Sequence, residues 1–218
     1  MSKVITVTNH KGGVGKTTVS RELVDALRAR GYSVGALDAT AQGSFARFLD
    51  DVELDDRNVT SNIAMLQQEH EFVVVDTPAP SFDGKNFGQD TPTVAMLDAI
   101  EVADLVIIPT SSDAMDVATS ADALETARSY GEGTMRILLN KIVPQRTNAV
   151  AQARADLAQV EAEVFDTVVH QATAIADACI ERQGVVRYAA KSKSARQINA
   201  LVDEVVAVLD TPQQAQVL

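Results

Sequence analysis

A glycine-rich loop between an apolar run and a helical pattern constrains this chain more than any other feature. The apolar run at residues 4–7 is followed by the letters NHKGGVGKTT at positions 9–18. Glycines let successive backbone amides turn towards an anion without obstruction by a Cβ atom, and the dipole of the following helix adds attraction. The sequence therefore predicts a phosphate-binding loop. Its backbone contacts would come from Gly12, Gly13, Val14 and Gly15.

The side chains that follow the glycines indicate a nucleotide rather than a simple anion. We expect Lys16 to contact the β- and γ-phosphates, Thr17 to ligate Mg²⁺ through its hydroxyl group, and Thr18 to donate to the α-phosphate. The alternative is a plain glycine turn with two surface lysines, and it requires GKTT after a strand to be a coincidence. A dinucleotide fingerprint is excluded because no third glycine follows at the required spacing.

Short apolar runs alternate with longer helical patterns along the chain. Candidate strands lie at residues 4–8, 34–37, 72–75, 105–108, 135–139 and 164–169, and helical patterns lie at 17–30, 93–102, 117–129 and 147–160. The runs 72–75 and 105–108 are apolar on both faces, as strands covered by helices on each side must be. The pattern predicts an α/β fold: a doubly wound, mostly parallel sheet with helices on both faces.

Composition fits one ordinary soluble domain. The chain has 218 residues, of which 46% are hydrophobic and 22% charged, enough for one sizeable core. No apolar run approaches the roughly 18 residues of a membrane span, the start lacks the features of a signal peptide, and the single Cys179 excludes an internal disulfide framework. We expect a single domain over residues 1–210, a flexible tail at 211–218, and a cytoplasmic protein.

Polar residues follow the predicted strands at their carboxyl ends, where ligands bind in open parallel sheets. Asp76 directly follows the run 72–75 and is itself followed by Thr77 and Pro78. A carboxylate held there can orient Mg²⁺-bound water, as a Walker B aspartate does, whereas the plain alternative is a strand-end acid that caps a turn. We predict that Asp76 and Thr17 bind magnesium together.

The loop departs from the common phosphate-loop pattern GxxxxGK[ST], because His10 stands where the first glycine is expected and Lys11 follows it. The resulting KGGVGKTT resembles the deviant loop of the ParA/MinD family of dimeric ATPases. The segments FVVVDTPAP, ADLVIIPT and ILLNKI follow in that family's order at similar spacings, so the resemblance covers nearly the whole chain. It implies a P-loop NTPase fold, ATP and Mg²⁺ as ligands, and a homodimer that forms on ATP binding.

The resemblance also implies roles for residues whose own pattern says little. In the family, the lysine that matches Lys11 crosses the dimer interface to the phosphates of the other subunit, while Lys16 serves its own nucleotide. Asn140, after the run 135–139, matches the position that recognises the adenine base through its amide. Asp113 and Asp116 lie in a region that flanks the partner's nucleotide; alternatively, they cap the helix that starts near residue 117.

Residues 38–43 read DATAQG, where the family usually has DxDPQG. Thr40 occupies the position of the second aspartate, which assists the attacking water. A threonine hydroxyl accepts a proton poorly, and losing such help costs on the order of 10² to 10⁴ in rate. Asp38 faces the same side of an extended segment, so it is a candidate substitute. Slow hydrolysis is therefore expected. The predicted catalytic residues are Lys11, Lys16, Asp38 and Thr40.

The formal net charge of -11 argues against a general nucleic-acid binder, yet one stretch is basic. Between residues 182 and 196 the chain has five cations and no acidic residue: Arg182, Arg187, Lys191, Lys193 and Arg196. Small ParA-like proteins bind nonspecific DNA through basic residues in this position, and the alternative is a solvated face that balances the acidic remainder. A membrane role is disfavoured because the C-terminal end lacks a basic amphipathic face.

These features favour a ParA-like ATPase switch. It would dimerise with ATP and Mg²⁺, bind nonspecific nucleoid DNA, and act in DNA partition or cargo positioning, with an adaptor or centromere-binding protein that stimulates hydrolysis. A nucleotide-locked scaffold that scarcely hydrolyses ATP is the alternative that Thr40 indicates. A biosynthetic ligase would need an acceptor pocket, and the sequence offers no further cluster of catalytic side chains for one.

Overall fold

The computed structural model describes residues 1–80 and 90–211, in which strands and helices alternate. The strands are β1 (Lys3–Val7), β2 (Val34–Asp38), β3 (Glu53–Leu54), β4 (Phe72–Asp76), β5 (Leu105–Thr110) and β6 (Thr134–Leu139). The helices are α1 (Lys16–Ala29), α2 (Ser44–Phe48), α3 (Val59–Glu69), α4 (Thr91–Glu101), α5 (Ala114–Tyr130), α6 (Thr147–Gln159), α7 (Thr173–Ile180), α8 (Val185–Tyr188) and α9 (Lys193–Asp210). Every predicted element except the run at 164–169 is present, with ends shifted by at most three residues.

The described strands all pair in parallel in one sheet, in the order β3-β2-β4-β1-β5-β6. β1 lies inside the sheet, between β4 and β5. The chain first extends the sheet on one side of β1 and then on the other side. A parallel sheet that changes direction in this way opens a crevice at the carboxyl ends of its central strands. The predicted doubly wound α/β fold is confirmed.

Helices cover both faces of this sheet. On one face, Ile5 and Val7 of β1 pack in a hydrophobic cluster with residues of α1, α8 and α9. On the other face, Val4 of β1 and Val106 of β5 belong to clusters that include residues of α3, α4, α5 and α6. Because neighbouring strand residues point to opposite faces, covering both faces explains why the central strands are almost wholly apolar.

The prediction of a strand at residues 164–169 is wrong. Instead of a ladder, one isolated bridge joins Val164 to Ile137 of β6, and a second joins His170 to Ile142, just beyond the predicted run and beyond β6. Side chains take up its backbone groups: Arg154 donates to the carbonyl oxygen of Phe165 at 2.8 Å, and the carboxylate of Glu204 accepts from the next two amides, each at 2.8 Å. Backbone groups that bond to side chains cannot extend a sheet, so an irregular segment covers the edge of β6.

The predicted tail at 211–218 lies outside the described residues except for Thr211. The single domain expected over residues 1–210 stays a prediction. Among the helices of residues 1–80 and 90–211, none combines the length and the apolar character that crossing a membrane requires.

Candidate functional site

The loop between β1 and α1 has the backbone conformation that its glycines predict. Gly13 has φ 81° and Gly15 has φ 101°, values in the left-handed region that other residues rarely adopt. A Cβ atom on Gly15 would also lie 2.4 Å from the side-chain nitrogen of Asn140, whereas the space beside Gly12 and Gly13 is open. α1 starts immediately after the loop, with Thr17 and Thr18 in its first turn. Its free amides therefore lie at the loop, as in helices that bind phosphate.

The loop itself holds the ammonium group of Lys16. Nζ of Lys16 donates to the carbonyl oxygens of Asn9 and Lys11, each at 3.1 Å. Burial lowers the pKa of Lys16, and the charge of Asp76 acts in the opposite direction. Carbonyl oxygens carry partial charges, so they compensate an enclosed ammonium group less well than a phosphate does. The surroundings of Lys16 therefore fit a contact with a triphosphate.

Asp76 brings a fully buried carboxylate to the start of α1. Its two oxygens accept hydrogen bonds from the hydroxyl groups of Thr17 at 2.6 Å and Ser20 at 3.0 Å. Burial raises the pKa of Asp76 to about 7, although the hydrogen bond from Thr17 acts in the opposite direction. A carboxylate that is costly to ionise gains from a cation beside it, and a carboxylate with a neighbouring hydroxyl suits Mg²⁺. Thr17 and Asp76 therefore fit magnesium.

Asn140 and Lys141 fasten the loop to the end of β6. The side-chain amide of Asn140 donates to the carbonyl oxygen of Val14 at 2.9 Å, and this residue is almost fully buried. Nζ of Lys141 donates to the carbonyl oxygen of Gly13 at 2.7 Å. Sequence reasoning missed the contact of Lys141, because nothing in the dipeptide indicates its partner. Adenine recognition by Asn140 stays a prediction.

Asp38 and Thr40 lie together, as expected for alternate residues of an extended segment. The amide and the hydroxyl group of Thr40 donate to one oxygen of Asp38, at 3.0 and 2.6 Å. The other oxygen accepts from the amides of Phe45 and Ala46 in α2, at 2.8 and 3.1 Å. Both oxygens of this buried carboxylate thus bind donors of the same chain and shape the segment between β2 and α2. The predicted role of the pair in hydrolysis stays a prediction.

Lys11 is paired with a carboxylate of its own chain. Its ammonium group forms an ion pair with Asp116, in the first turn of α5. Asp113 holds the N-cap position of α5, makes no capping hydrogen bond through its side chain, and pairs with Arg146 at 2.6 Å. The interpretation of Asp116 as a helix cap is therefore wrong, because its carboxylate turns to the glycine loop.

The five cations that were predicted to bind DNA fall into two groups. Arg182 pairs with Asp50 at 2.6 Å, and Arg187 pairs with the buried Asp25 of α1. The other three are exposed around the start of α9, and the described part of the chain offers them no ion pair: Lys191, Lys193 and Arg196. The stretch is therefore not a uniform cationic surface. DNA contact by any of these residues stays a prediction.

Solved structures with this fold include nucleotide complexes. The septum site-determining protein MinD of Pyrococcus horikoshii, solved with Mg-ADP, matches with a TM-score of 0.71 and 19% identity, covering 97% of this chain and 100% of that chain. McdA of Cyanothece, solved as the ATP complex of a variant, matches with a TM-score of 0.72 and 14% identity, covering 99% of each chain. At these identities, the likeness confirms the fold alone.

Sequence comparison reaches further. The maintenance of carboxysome distribution protein A of Halothiobacillus neapolitanus is 28% identical over 217 residues, which cover 93% of this chain and 95% of that protein. The family model described as the CobQ/CobB/MinD/ParA nucleotide binding domain matches residues 5–185. This range includes the glycine loop together with Asp38, Asp76 and Asn140. With most of its length matched, the chain belongs to the CobQ/CobB/MinD/ParA nucleotide-binding family.

Proposed function

We propose that this protein is a ParA-like ATPase switch that positions a cellular cargo. It binds ATP and Mg²⁺, dimerises with them, and binds nonspecific DNA of the nucleoid as the dimer. An adaptor protein on the cargo stimulates its slow hydrolysis of ATP and so resets the switch. The observation that carries this proposal is the arrangement of Lys16, Thr17 and Asp76 around a left-handed glycine loop.

Each residue of the site has a defined part in holding the triphosphate. The amides of residues 12–16 donate to phosphate oxygens, and Lys16 exchanges its carbonyl partners for the β- and γ-phosphates. Thr17 and Asp76 hold Mg²⁺, which neutralises negative charge on the phosphates when it is bound. Because Asn140 and Lys141 fasten the loop to β6, its amides are organised before ATP arrives.

Lys11 is the residue through which ATP joins two subunits. Its side chain is 44% exposed, so a second subunit has access to it. The family membership supports its transfer to the phosphates bound by the partner. The two lysines of the loop then act on different nucleotides: Lys16 binds the ATP of its own subunit, and Lys11 binds the ATP of the other.

DNA binding rests on the three unpaired cations around the start of α9. They are exposed, and a dimer presents them twice. Charges of this kind bind phosphates in a salt-sensitive manner without reading bases. Because the chain as a whole carries a net charge of -11, contact with DNA is confined to this local surface.

The relative from Halothiobacillus neapolitanus is named for carboxysome distribution. This name favours positioning of a protein assembly over partition of a plasmid or chromosome for the present chain. A carboxysome is accordingly the first cargo to test. The stimulating partner is then an adaptor on the assembly rather than a centromere-binding protein.

Dimerisation and DNA retention test the proposal. With Mg-ATP, the wild-type protein is expected to sediment as a dimer and to be retained on nonspecific duplex DNA, with retention that falls steeply as salt rises. Lys11→Ala should still bind ATP, because Lys16 is retained, but stay monomeric, because the proposed bond to the partner's phosphates is removed. Lys3→Ala, at the opposite end of β1, controls for the loss of one charge. If the retention of the wild-type protein on DNA is the same with and without ATP, the proposal is contradicted.

Thr40 supports a second candidate function, a nucleotide-locked scaffold. Its hydroxyl group donates to Asp38, and Asp38 is the one acid among residues 38–43 and is fully engaged. No carboxylate of this segment therefore remains to activate water. Turnover at family-typical rates that Lys16→Ala abolishes would exclude the scaffold. Thr40→Asp is expected to raise turnover by on the order of 10² if the missing carboxylate limits hydrolysis.

A further inference from the structure

Lys11 already has an anionic partner in its own subunit. Its ammonium group contacts Oδ1 of Asp116, and the side chain of Asp116 is only 14% exposed. The residues lie 105 positions apart in the sequence, so the contact joins the glycine loop to the first turn of α5. The lysine that would reach across a dimer is thus restrained in cis.

Asp116 is fixed in place by a second hydrogen bond. The hydroxyl group of Ser111 donates to Oδ2 of Asp116 at 2.7 Å and accepts from the amide of Asp113 at 3.0 Å. Burial raises the pKa of Asp116, but the hydrogen bonds from Lys11 and Ser111 outweigh it, so the pKa lies below its usual value. The partner of Lys11 is therefore an ionised carboxylate at neutral pH.

The backbone of Lys11 is tied to the same helix. Its amide donates to Oδ1 of Asn9 at 2.8 Å, and the Asn9 side chain donates to the hydroxyl group of Ser120 at 3.0 Å. The same hydroxyl donates to the carbonyl oxygen of Asp116 at 2.7 Å. Loop and helix are thus joined through both the backbone and the side chain of Lys11, so releasing its ammonium group requires one ion pair to break in an otherwise fixed frame.

We propose that Asp116 holds Lys11 in the free subunit and thereby restrains ATP-dependent dimerisation. The inference rests on the proposed function, in which Lys11 binds the phosphates of the partner. The carboxylate and those phosphates compete for one ammonium group, so the dimer forms only after the ion pair breaks. Asp116 is a positioning residue that sets the protein concentration at which the switch closes.

The size of the effect follows from two restraints per dimer. The Lys11 side chain of this ion pair is 44% exposed, so solvent screens the pair, and such a pair shifts an equilibrium by up to about 5-fold. A binding-competent form that is populated only in part weakens apparent affinity by its populated fraction. Because both subunits must release Lys11, the factors multiply, and removing the restraint is expected to tighten the dimer by up to about 25-fold.

Asp116→Asn is the variant that isolates the restraint. It removes the charge that holds Lys11 and keeps an oxygen that can accept from Ser111. Asp113→Asn is the matched control, since it removes the same charge from the same end of α5, where Asp113 pairs with Arg146 and not with Lys11. A difference between the two variants therefore reports the ion pair with Lys11 rather than the general charge of the helix.

Sedimentation over a range of protein concentrations, with saturating Mg-ATP, measures the dimer dissociation constant. Asp116→Asn is expected to dimerise more tightly than wild type by up to about 25-fold, with Asp113→Asn close to wild type. Asp116→Asn equal to Asp113→Asn, or weaker than wild type, overturns the restraint. If Lys11→Ala abolishes the dimer at the same time, the proposed function stands and the restraint alone fails. If Lys11→Ala dimerises like wild type, the proposed function fails as well.

Unfolding without nucleotide gives a readout that does not depend on dimers. A double-mutant cycle between Lys11→Ala and Asp116→Asn should show a favourable coupling in urea denaturation, and the cycle between Lys11→Ala and Asp113→Asn should show none. Equal couplings in the two cycles would overturn the ion pair as the source of the restraint.

Discussion

Two cations from the two regions singled out by the sequence, Lys16 of the loop at residues 9–18 and Arg187 of the stretch at 182–196, have different kinds of partner. In the loop, the ammonium group of Lys16 donates to backbone carbonyl oxygens. In the stretch, Arg187 meets the buried carboxylate of Asp25. The first cation has partners with partial charges, whereas the second is already neutralised. A cation is thus most available to an anionic ligand where the fold has not supplied its own carboxylate.

The packing of α8 on α1 explains why Arg187 in the stretch pairs with a buried carboxylate. Glu22 of α1 accepts from the amide of Val185 at 2.7 Å. A Cβ atom on Gly184 would lie 2.5 Å from an oxygen of Asp25, so the backbone of the stretch approaches α1 closely. Burial raises the pKa of Glu22, although Arg21 acts in the opposite direction. The start of the stretch therefore covers buried carboxylates of α1 and has a structural role.

The largest expected effect is the loss of ATP affinity when Lys16 of the loop is removed. Lys16→Ala removes the ammonium group that is proposed to contact the phosphates, so ATP affinity is expected to fall on the order of 100-fold, about 3 kcal/mol. Lys193→Ala, which removes a lysine from the other region, should leave ATP affinity unchanged. Titration calorimetry with Mg-ATP measures both variants. Equal affinities for wild type and Lys16→Ala would contradict the proposed site.

The buried pair of the stretch gives the next effect. Asp25→Asn removes the charge that faces Arg187, and the free energy of unfolding is expected to fall by about 2 kcal/mol. The Arg187 side chain is 55% exposed, so its rehydration limits the loss. Asp50→Asn, which breaks the exposed pair with Arg182, should cost less than about 1 kcal/mol. Urea unfolding compares the two, and equal losses would remove the distinction between them.

A third prediction sharpens the comparison within the stretch itself. Removing the unpaired cations in a triple alanine variant should make the slope of log affinity for DNA against log salt shallower, by about 0.9 for each phosphate that the protein no longer neutralises. Removing the paired Arg182 and Arg187 should change the slope less, because Asp50 and Asp25 already neutralise them. Fluorescence anisotropy with Mg-ATP and labelled duplex DNA gives both slopes. The reverse ranking would show that paired arginines carry DNA binding. The triple variant replaces Lys191, Lys193 and Arg196.

The smallest expected effect comes from His170, which lies near Lys193 and makes the free energy of unfolding depend on pH. Burial and the charge of Lys193 lower the pKa of His170. The folded chain therefore takes up this proton less readily than the unfolded chain, so stability is present above the usual histidine pKa of about 6.5 and is lost as pH falls below it. His170→Asn should flatten that part of the profile of unfolding free energy against pH. An unchanged profile would show that His170 does not contribute.

The central sheet and the phosphate loop were predictable because their signals are local. The left-handed Gly13 and Gly15 follow from glycine at a strand-to-helix turn, and the position of Asp76 follows from its place at the end of an apolar strand. The two-residue strand β3 was not predicted, nor were five of the helices: α2, α3, α7, α8 and α9. Both residues of β3 are exposed, so no apolar pattern marks it.

Partners across long separations were beyond sequence reasoning. Lys141 reaches the carbonyl oxygen of Gly13 across 128 positions, and Arg187 reaches Asp25 across 162. The local pattern at each residue is the same whether or not such a partner exists. The division of the basic stretch into paired and unpaired cations was therefore invisible before the fold was known.

By itself, the sequence determined that this protein has a parallel sheet and a glycine loop that fits phosphate, since strand alternation and glycine torsions depend on neighbouring residues. Tertiary structure alone decided which cations have a carboxylate partner in the fold and which do not. Lys11 and Asp116 lie far apart along the chain. They pair because β1 and β5 are neighbouring parallel strands, so the loop after β1 and the start of α5 lie at the same end of the sheet. Ion pairing depends on distance in space, and the winding of the sheet sets that distance.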